Sequence, residues 1–209
     1  MREYPKIYGP YLRHTEGPNR NKLIEGAWSR PEIGYLADFQ WHFTEKVDGT
    51  NIRVHWDGHR VEFGGRTERA QIRADLYAEL QRLFPEELFE QHFGSDVVTL
   101  YGEGYGPGIQ KGGGNYRAAP GFVLFDVRVG DWWLLRENVV DVGINLGVDV
   151  VPLTLTGTVA DAIALVRNGL KSDWGPFTAE GLVGVTKVGL LDRAGNRVMV
   201  KIKAADFHG

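Results

Sequence analysis

Residues 44–51 read TEKVDGTN, which sets Lys46 two residues ahead of an Asp-Gly pair, with Glu45 before it and Asp48 close behind. Taken alone, a lysine beside an Asp-Gly pair is most often a solvated charge next to a turn. Upstream, WHFTEKV (41–47) alternates Trp41, Phe43 and Glu45 against His42, Thr44 and Lys46, which predicts a strand with two different faces. Downstream, NIRVHW (51–56) alternates Ile52, Val54 and Trp56; Asp57-Gly58 follows, then HRVEFGG with Val61 and Phe63, a strong β-hairpin signal. The lysine therefore sits among hydrophobic strands that would hold a charge there at some cost.

The remaining chain continues the mixture. Residues 71–90 place Ile72, Leu76, Leu80, Leu83 and Phe84 at helical spacing, interrupted at Pro85. DVVTLYGEG (96–104) reads as a strand, and residues 104–121 as a long loop with seven glycines. FVLFDVRV (122–129) and WWLL (132–135) read as strands about a Gly130-Asp131 turn, RENVVDVGINLG (136–147) as a short helix, and VDVVPL (148–153) as a strand. TVADAIALVRNG (158–169) reads as a helix with Thr158 as N-cap and Gly169 as its stop. EGLVGVTKV, an AGN turn and RVMVKIK close the chain, while the first 40 residues, holding several Pro, Gly and Asn, read as irregular. Hairpins with interspersed helices predict a mixed α+β domain, with two largely antiparallel sheets and a cleft between them.

Composition narrows the function classes. The 209 residues suit a single domain, and the net charge of −3 means that nucleic-acid contact would need a local basic surface. Cysteine is absent, which excludes disulfides and zinc–thiolate sites. No apolar run approaches the roughly 20 residues of a membrane span, and MREYPKIYGPYLRH lacks the apolar core of a secretory signal; a cytoplasmic protein without a membrane partner is expected. No GxxxxGK[ST] occurs, and GYGPG is not a dinucleotide fingerprint. His55 and His59 are four apart but flank a turn, which argues against a metal pair.

One ordered set remains. KVDGTN (46–51), GGRT (64–67), LYGEGYGPGIQKGGGNY (100–116), FVLFDV (122–127), EGLVGV (180–185) and VMVKIK (198–203) follow one another across nearly the whole chain. In that order they resemble the motifs of the covalent nucleotidyltransferase superfamily of ATP-dependent ligases and mRNA-capping enzymes. The Gly-Pro-Gly-Ile-Gln extension after Glu103 is most similar to RNA ligases of the phage nick-sealing type, so an origin in a phage is also expected.

The resemblance implies a ligase-type adenylation fold, ATP and AMP as ligands, Mg2+ or Mn2+ as metal, and RNA ends or nicks, with DNA left open, as the second substrate. It implies Lys46 as nucleophile, Glu180 as metal-binding acid, and Lys201 and Lys203 as phosphate-side cations. Glu45, Asn51, Arg66, Glu103 and Phe125 are implied in nucleotide binding. The chemistry fits these residue types. An amine attacks only when neutral, and an ordinary lysine titrates near about 10.4, so cations and desolvation nearby would help. Lys201 and Lys203 would also offset phosphate charge, Arg66 offers a forked donor, Glu103 can accept from ribose hydroxyls, and Phe125 has a flat face for a base.

Relatives of this type carry a further domain after the Lys-x-Lys motif, whereas AADFHG alone follows Lys203. The expectation is a single nucleotidyltransferase domain over residues 1–209 without a C-terminal accessory domain, which would weaken the grip on nucleic acid unless a partner domain acts in trans. Two other readings stay open at this point: a nucleotide- or RNA-end-binding module that does not ligate, and a GTP-using capping-type enzyme.

Overall fold

The computed structural model describes residues 1–207. The chain divides into two compact units, Met1–Tyr4 with Asp48–Val151 and Pro5–Val47 with Pro152–Gly209. One crossing falls inside TEKVDGTN, between Val47 and Asp48.

In chain order the strands are β1 (Tyr11–Arg13), β2 (Leu23–Trp28), β3 (Trp41–Glu45), β4 (Thr50–Trp56), β5 (Val61–Gly64), β6 (Val98–Tyr105), β7 (Gly121–Val129), β8 (Trp132–Trp133), β9 (Asp149–Val150), β10 (Leu153–Gly157), β11 (Gly181–Thr186) and β12 (Met199–Lys203). The helices are α1 (Pro31–Leu36), α2 (Ala74–Leu83), α3 (Glu86–Phe93), α4 (Arg136–Leu146) and α5 (Val159–Arg167).

The unit that carries Lys46 is built on a four-stranded antiparallel sheet of order β10-β3-β11-β12. The alternation read from WHFTE holds: Trp41, Phe43 and Glu45 are buried, while His42 and Thr44 are half-buried on the other face. Trp41 and Phe43 pack with Leu182, Val200 and Ile202 from neighbouring strands and with Val159, Ala162, Ile163 and Val166 of α5. Burying each Phe, Leu, Ile or Val side chain among these stabilises by about 1.5–3 kcal/mol relative to leaving it in water. Thr158 caps α5 as expected, and reciprocally: its hydroxyl accepts from the Asp161 amide, and the Asp161 carboxylate accepts from the Thr158 amide. The first 40 residues, expected to be irregular, include the β1–β2 hairpin and α1.

The other unit holds a sheet of order β5-β4-β6-β7-β8, with β9 alongside β7 in the parallel sense. Asp57-Gly58 joins β4 to β5, as the sequence predicts. Ile52, Val54, Leu100, Phe122 and Leu124 line one face and pack against Leu76 and Leu80 of α2 and Phe89 of α3. The helical stretch at 71–90 is two helices, because Pro85 has no amide to donate and cannot continue α2; it stands at the N-cap of α3 instead.

Asp48-Gly49 leads from β3 to β4, which belong to different sheets. One expectation takes a different form. VDVVPL, read as one strand, is split: β9 joins the β7 sheet and β10 joins β3, with Pro152, which cannot donate to a ladder, between them.

Candidate functional site

In the unit of β3, strand register brings the lysines together. The Lys46 amide donates to the Gly181 carbonyl at 2.9 Å, and Gly181 lies opposite Lys203, so the three form one row across the sheet. Thr44, Val183 and Lys201 form the next row. Neighbouring strands are spaced by about 4.8 Å, which puts the Lys46 and Lys203 backbones about 10 Å apart. Glu180 bridges that gap. Lys46 Nζ donates to Glu180 Oε2 at 2.7 Å, and Lys203 Nζ stands 3.6 Å from Oε1. The side chains of Lys46 and Glu180 are each 25% exposed, so the group is sheltered yet open to a ligand. Three lysines share this face with one acid, which leaves a net positive surface suited to phosphate.

Glycine at 181 is required by this arrangement. Its φ is +151°, and a Cβ there would meet the Ile202 carbonyl oxygen at 2.0 Å. The Gly after Glu180 thus lets β11 lie against β12 at the point where Glu180 turns toward Lys46.

Glu45 lies on the opposite, core side of β3 and is 2% exposed. Its carboxylate accepts from the Ser172 hydroxyl and from the Asp173 amide, both at 2.7 Å. Ser172 in turn accepts from the Trp174 amide at 3.1 Å, so Glu45 is the anchor of the loop that leads to Glu180.

In the other unit, the sheet face turned away from the α2 core carries the remaining expected residues. Asn51 pairs with Glu103 and Arg53 with Tyr101, so all four share that face. Asn51 Oδ1 is buried with no hydrogen-bond donor among the described residues, an acceptor that a polar ligand group would satisfy. Phe122 and Leu124 face the α2 core, so alternation along β7 turns Phe125 to the opposite face. A bulge leaves Phe125 between Leu124, opposite Gly102, and Asp126, opposite Tyr101, so Asp126 joins the Asn51–Arg53 face and Val127 returns to the core. It is half-buried and meets the Tyr4 ring edge-on at 5.0 Å between centroids, while the Tyr4 hydroxyl donates to Asp126 at 2.9 Å. Arg66 is exposed in the bend after β5.

Asp48 does something the sequence reading did not assign. Its Oδ2 accepts from the Gly112 amide at 3.1 Å, and its own amide donates to the Tyr116 hydroxyl at 3.3 Å, so it pins the glycine-rich loop. Gly49 is needed for the same approach: a Cβ there would stand 2.3 Å from the Gly104 carbonyl oxygen. Local spacing carries no sign of these contacts, nor of those of Tyr4 and Ser172, because every partner is remote in sequence.

His55 bonds through Nδ1 with Thr99 Oγ1 at 2.8 Å, and burial, reinforced by the N-terminal amine, pushes its imidazole below the ordinary range. No group of three or more His, Cys, Asp or Glu that could hold a metal ion occurs among the described residues. No helix among them is long and apolar enough to cross a membrane.

Comparison with known proteins adds the family. The RNA ligase family model matches residues 39–203. No curated protein sequence matches the chain. Among solved structures, the fold is similar to Naegleria gruberi RNA ligase in several states. A mutant with AMP and Mn superposes with a TM-score of 0.66 at 18% identity, over 85% of this chain and 53% of that one. The enzyme with PPi gives 0.67 at 19% identity, over 97% and 62%. A mutant with ATP and Mn gives 0.67 at 18% identity, over 98% and 63%. The chain therefore spans between half and two thirds of the length of the structures it matches.

Proposed function

Since the chain belongs to the RNA ligase family, we propose that it joins 5′-phosphate and 3′-hydroxyl RNA ends at the expense of ATP, through a lysyl-AMP intermediate on Lys46. The observation that carries this reading is the Lys46–Glu180–Lys203 array on one sheet face.

Only a neutral amine has a lone pair to offer, so an ammonium at Lys46 must give up a proton before attack. Glu180 Oε2, 2.7 Å from Nζ, is an acceptor within reach. Lys46 Nζ then attacks the α-phosphorus of ATP; an N–P bond forms, and the P–O bond to pyrophosphate breaks. Lys201 and Lys203 offset the charge that develops on the phosphate oxygens. AMP next passes to the RNA 5′-phosphate and leaves when the 3′-hydroxyl attacks, which forms the phosphodiester. All three steps are phosphoryl-type transfers that depend on alignment and charge stabilisation.

Glu180 would also hold a divalent cation. Magnesium is commonly bound by one or two carboxylates together with substrate phosphates, so a lone acid on a phosphate-binding face fits an ion that arrives with ATP. Such an ion, when bound, would add charge neutralisation at the phosphates.

The other unit, taken by itself, carries a set suited to a nucleoside: Phe125 for a base, Glu103 for ribose hydroxyls, and Asn51 and Arg66 for polar contacts. Glu45, buried against Ser172 and Asp173, acts by holding its loop.

The test is incubation with α-labelled ATP and magnesium, followed by denaturation and a search for label on the protein. Wild type should carry it; folded Lys46→Ala and Lys46→Arg should not. Label retained on folded Lys46→Ala refutes the nucleophile. A wild type that binds ATP or RNA and never takes up label would instead point to the non-ligating module.

A further inference from the structure

The charge of the Asp48–Val151 stretch is unevenly laid out. Residues 48–151 contain ten Lys or Arg against sixteen Asp or Glu. Two short segments, 64–74 and 104–125, hold five of those cations, Arg66, Arg69, Arg73, Lys111 and Arg117, and one of the acids, Glu68. The second segment is the glycine-rich loop and the strand after it, and no acid occurs from Gly104 to Phe125.

Tertiary contacts place the two segments side by side. Arg73 Nη1 donates to the Pro107 carbonyl at 3.5 Å and lies over Gly108, where a Cβ would come within 2.4 Å of it. Arg73 is itself held by Asp75, with bonds of 2.7 and 3.1 Å, so its guanidinium serves as a bracket. On the other side, Asp48 fixes the loop through the Gly112 amide, the residue next to Lys111. Arg117 lies against the Tyr105 ring, 5.5 Å from its centroid. The loop is thus tied down at several points, and Lys111 and Arg69 project from the two joined segments as exposed side chains with no ion pair among the described residues.

A pinned, acid-free, cationic loop within an otherwise acidic unit is what a phosphate chain would recognise. We propose that the joined segments 64–74 and 104–117 form a rim that grips the RNA sugar–phosphate backbone, with Lys111 and Arg69 as phosphate contacts. Exposed cations on such a rim supply affinity that is independent of sequence, because phosphates carry no base information. The inference rests on the RNA reading above for the identity of its ligand, and locates that ligand's backbone on Lys111 and Arg69, to which that reading gave no role.

The experiment measures binding of a short fluorescent 5′-phosphorylated RNA by anisotropy, across a series of salt concentrations and without ATP. For single strands, each lost phosphate contact lowers the slope of log affinity against log salt by about 0.7. Lys111→Ala and Arg69→Ala should each weaken binding several-fold at low salt, and the double variant should show the summed loss of slope. Arg60→Glu, in the exposed Asp57–Arg60 turn of the same unit, controls for net charge and should weaken binding much less than Lys111→Glu. An unchanged slope in the double variant overturns the proposal, as does an Arg60→Glu effect equal to that of Lys111→Glu. Wild-type labelling by ATP, measured separately, reports on the catalytic reading: a loss of salt slope in a protein that takes up no label supports the rim and counts against ligation alone.

Discussion

Glu45 offers a test in which structure and chemistry give a definite magnitude. It is 2% exposed, so water cannot replace its partners, and each carboxylate oxygen accepts one hydrogen bond of 2.7 Å. Glu45→Gln keeps the volume. Its amide oxygen can still accept from the Asp173 amide, but its NH2 then faces Ser172 Oγ. That oxygen already accepts from the Trp174 amide, and its hydroxyl proton would be left without its carboxylate acceptor. A hydrogen bond to a charged partner contributes about 1.5–3 kcal/mol, so the substitution should cost about 2 kcal/mol. Ser172→Ala removes the same bond from the other end and should cost a similar amount. If both act through one bond, the double variant should fall short of the sum by about 1–2 kcal/mol. Urea unfolding of the four proteins measures this, with the fluorescence of Trp174 in the anchored loop as a local probe. Additivity within about 0.5 kcal/mol refutes the shared bond. A fully stable Glu45→Gln protein with weakened ATP binding would return Glu45 to the nucleotide-contact role implied by the motif.

Two further outcomes follow from local geometry. Because the His55 imidazole titrates below its ordinary range in the folded chain, the unfolded chain binds its proton more tightly; the stability it contributes is present above about pH 6.5 and is lost as pH falls below that value. The wild-type melting temperature should therefore drop more than that of His55→Gln as the solution is acidified through this window, and equal drops would refute the assignment. Thr158→Ala removes the hydroxyl half of the α5 capping box and should cost about 1 kcal/mol in thermal or urea unfolding, with Thr158→Ser close to wild type; an unchanged Thr158→Ala protein would show that the cap is dispensable.

Features whose cause is local were legible in the sequence. Period-two alternation in WHFTE and NIRVHW reports the two faces of a strand, since successive side chains point to opposite sides; the burial of Trp41 and Phe43 follows from it. The same holds for the Asp57-Gly58 hairpin and for the break that Pro85 imposes between α2 and α3. The Thr158 cap could be read because its partner is three residues away. The ordered motifs pointed to the family, and Lys46, Glu180 and Lys203 do meet on one sheet face.

The rest required pairings between remote residues. Nothing in TEKVDGTN tells that the chain leaves one sheet there and enters another, or that Asp48 bonds a glycine 64 positions away. Nor does FVLFDV disclose the bulge after Leu124, which turns Asp126 away from the core where regular alternation from Phe122 and Leu124 would bury it. Glu45 reads like any acid beside a lysine, and only the closure of the 172–174 loop over it turns it into a buried anchor. Alternation and capping are settled by neighbours within a few residues. A bulge, a sheet crossing or a buried carboxylate is settled by which distant donors and side chains arrive beside it, and that depends on the packing of the whole unit.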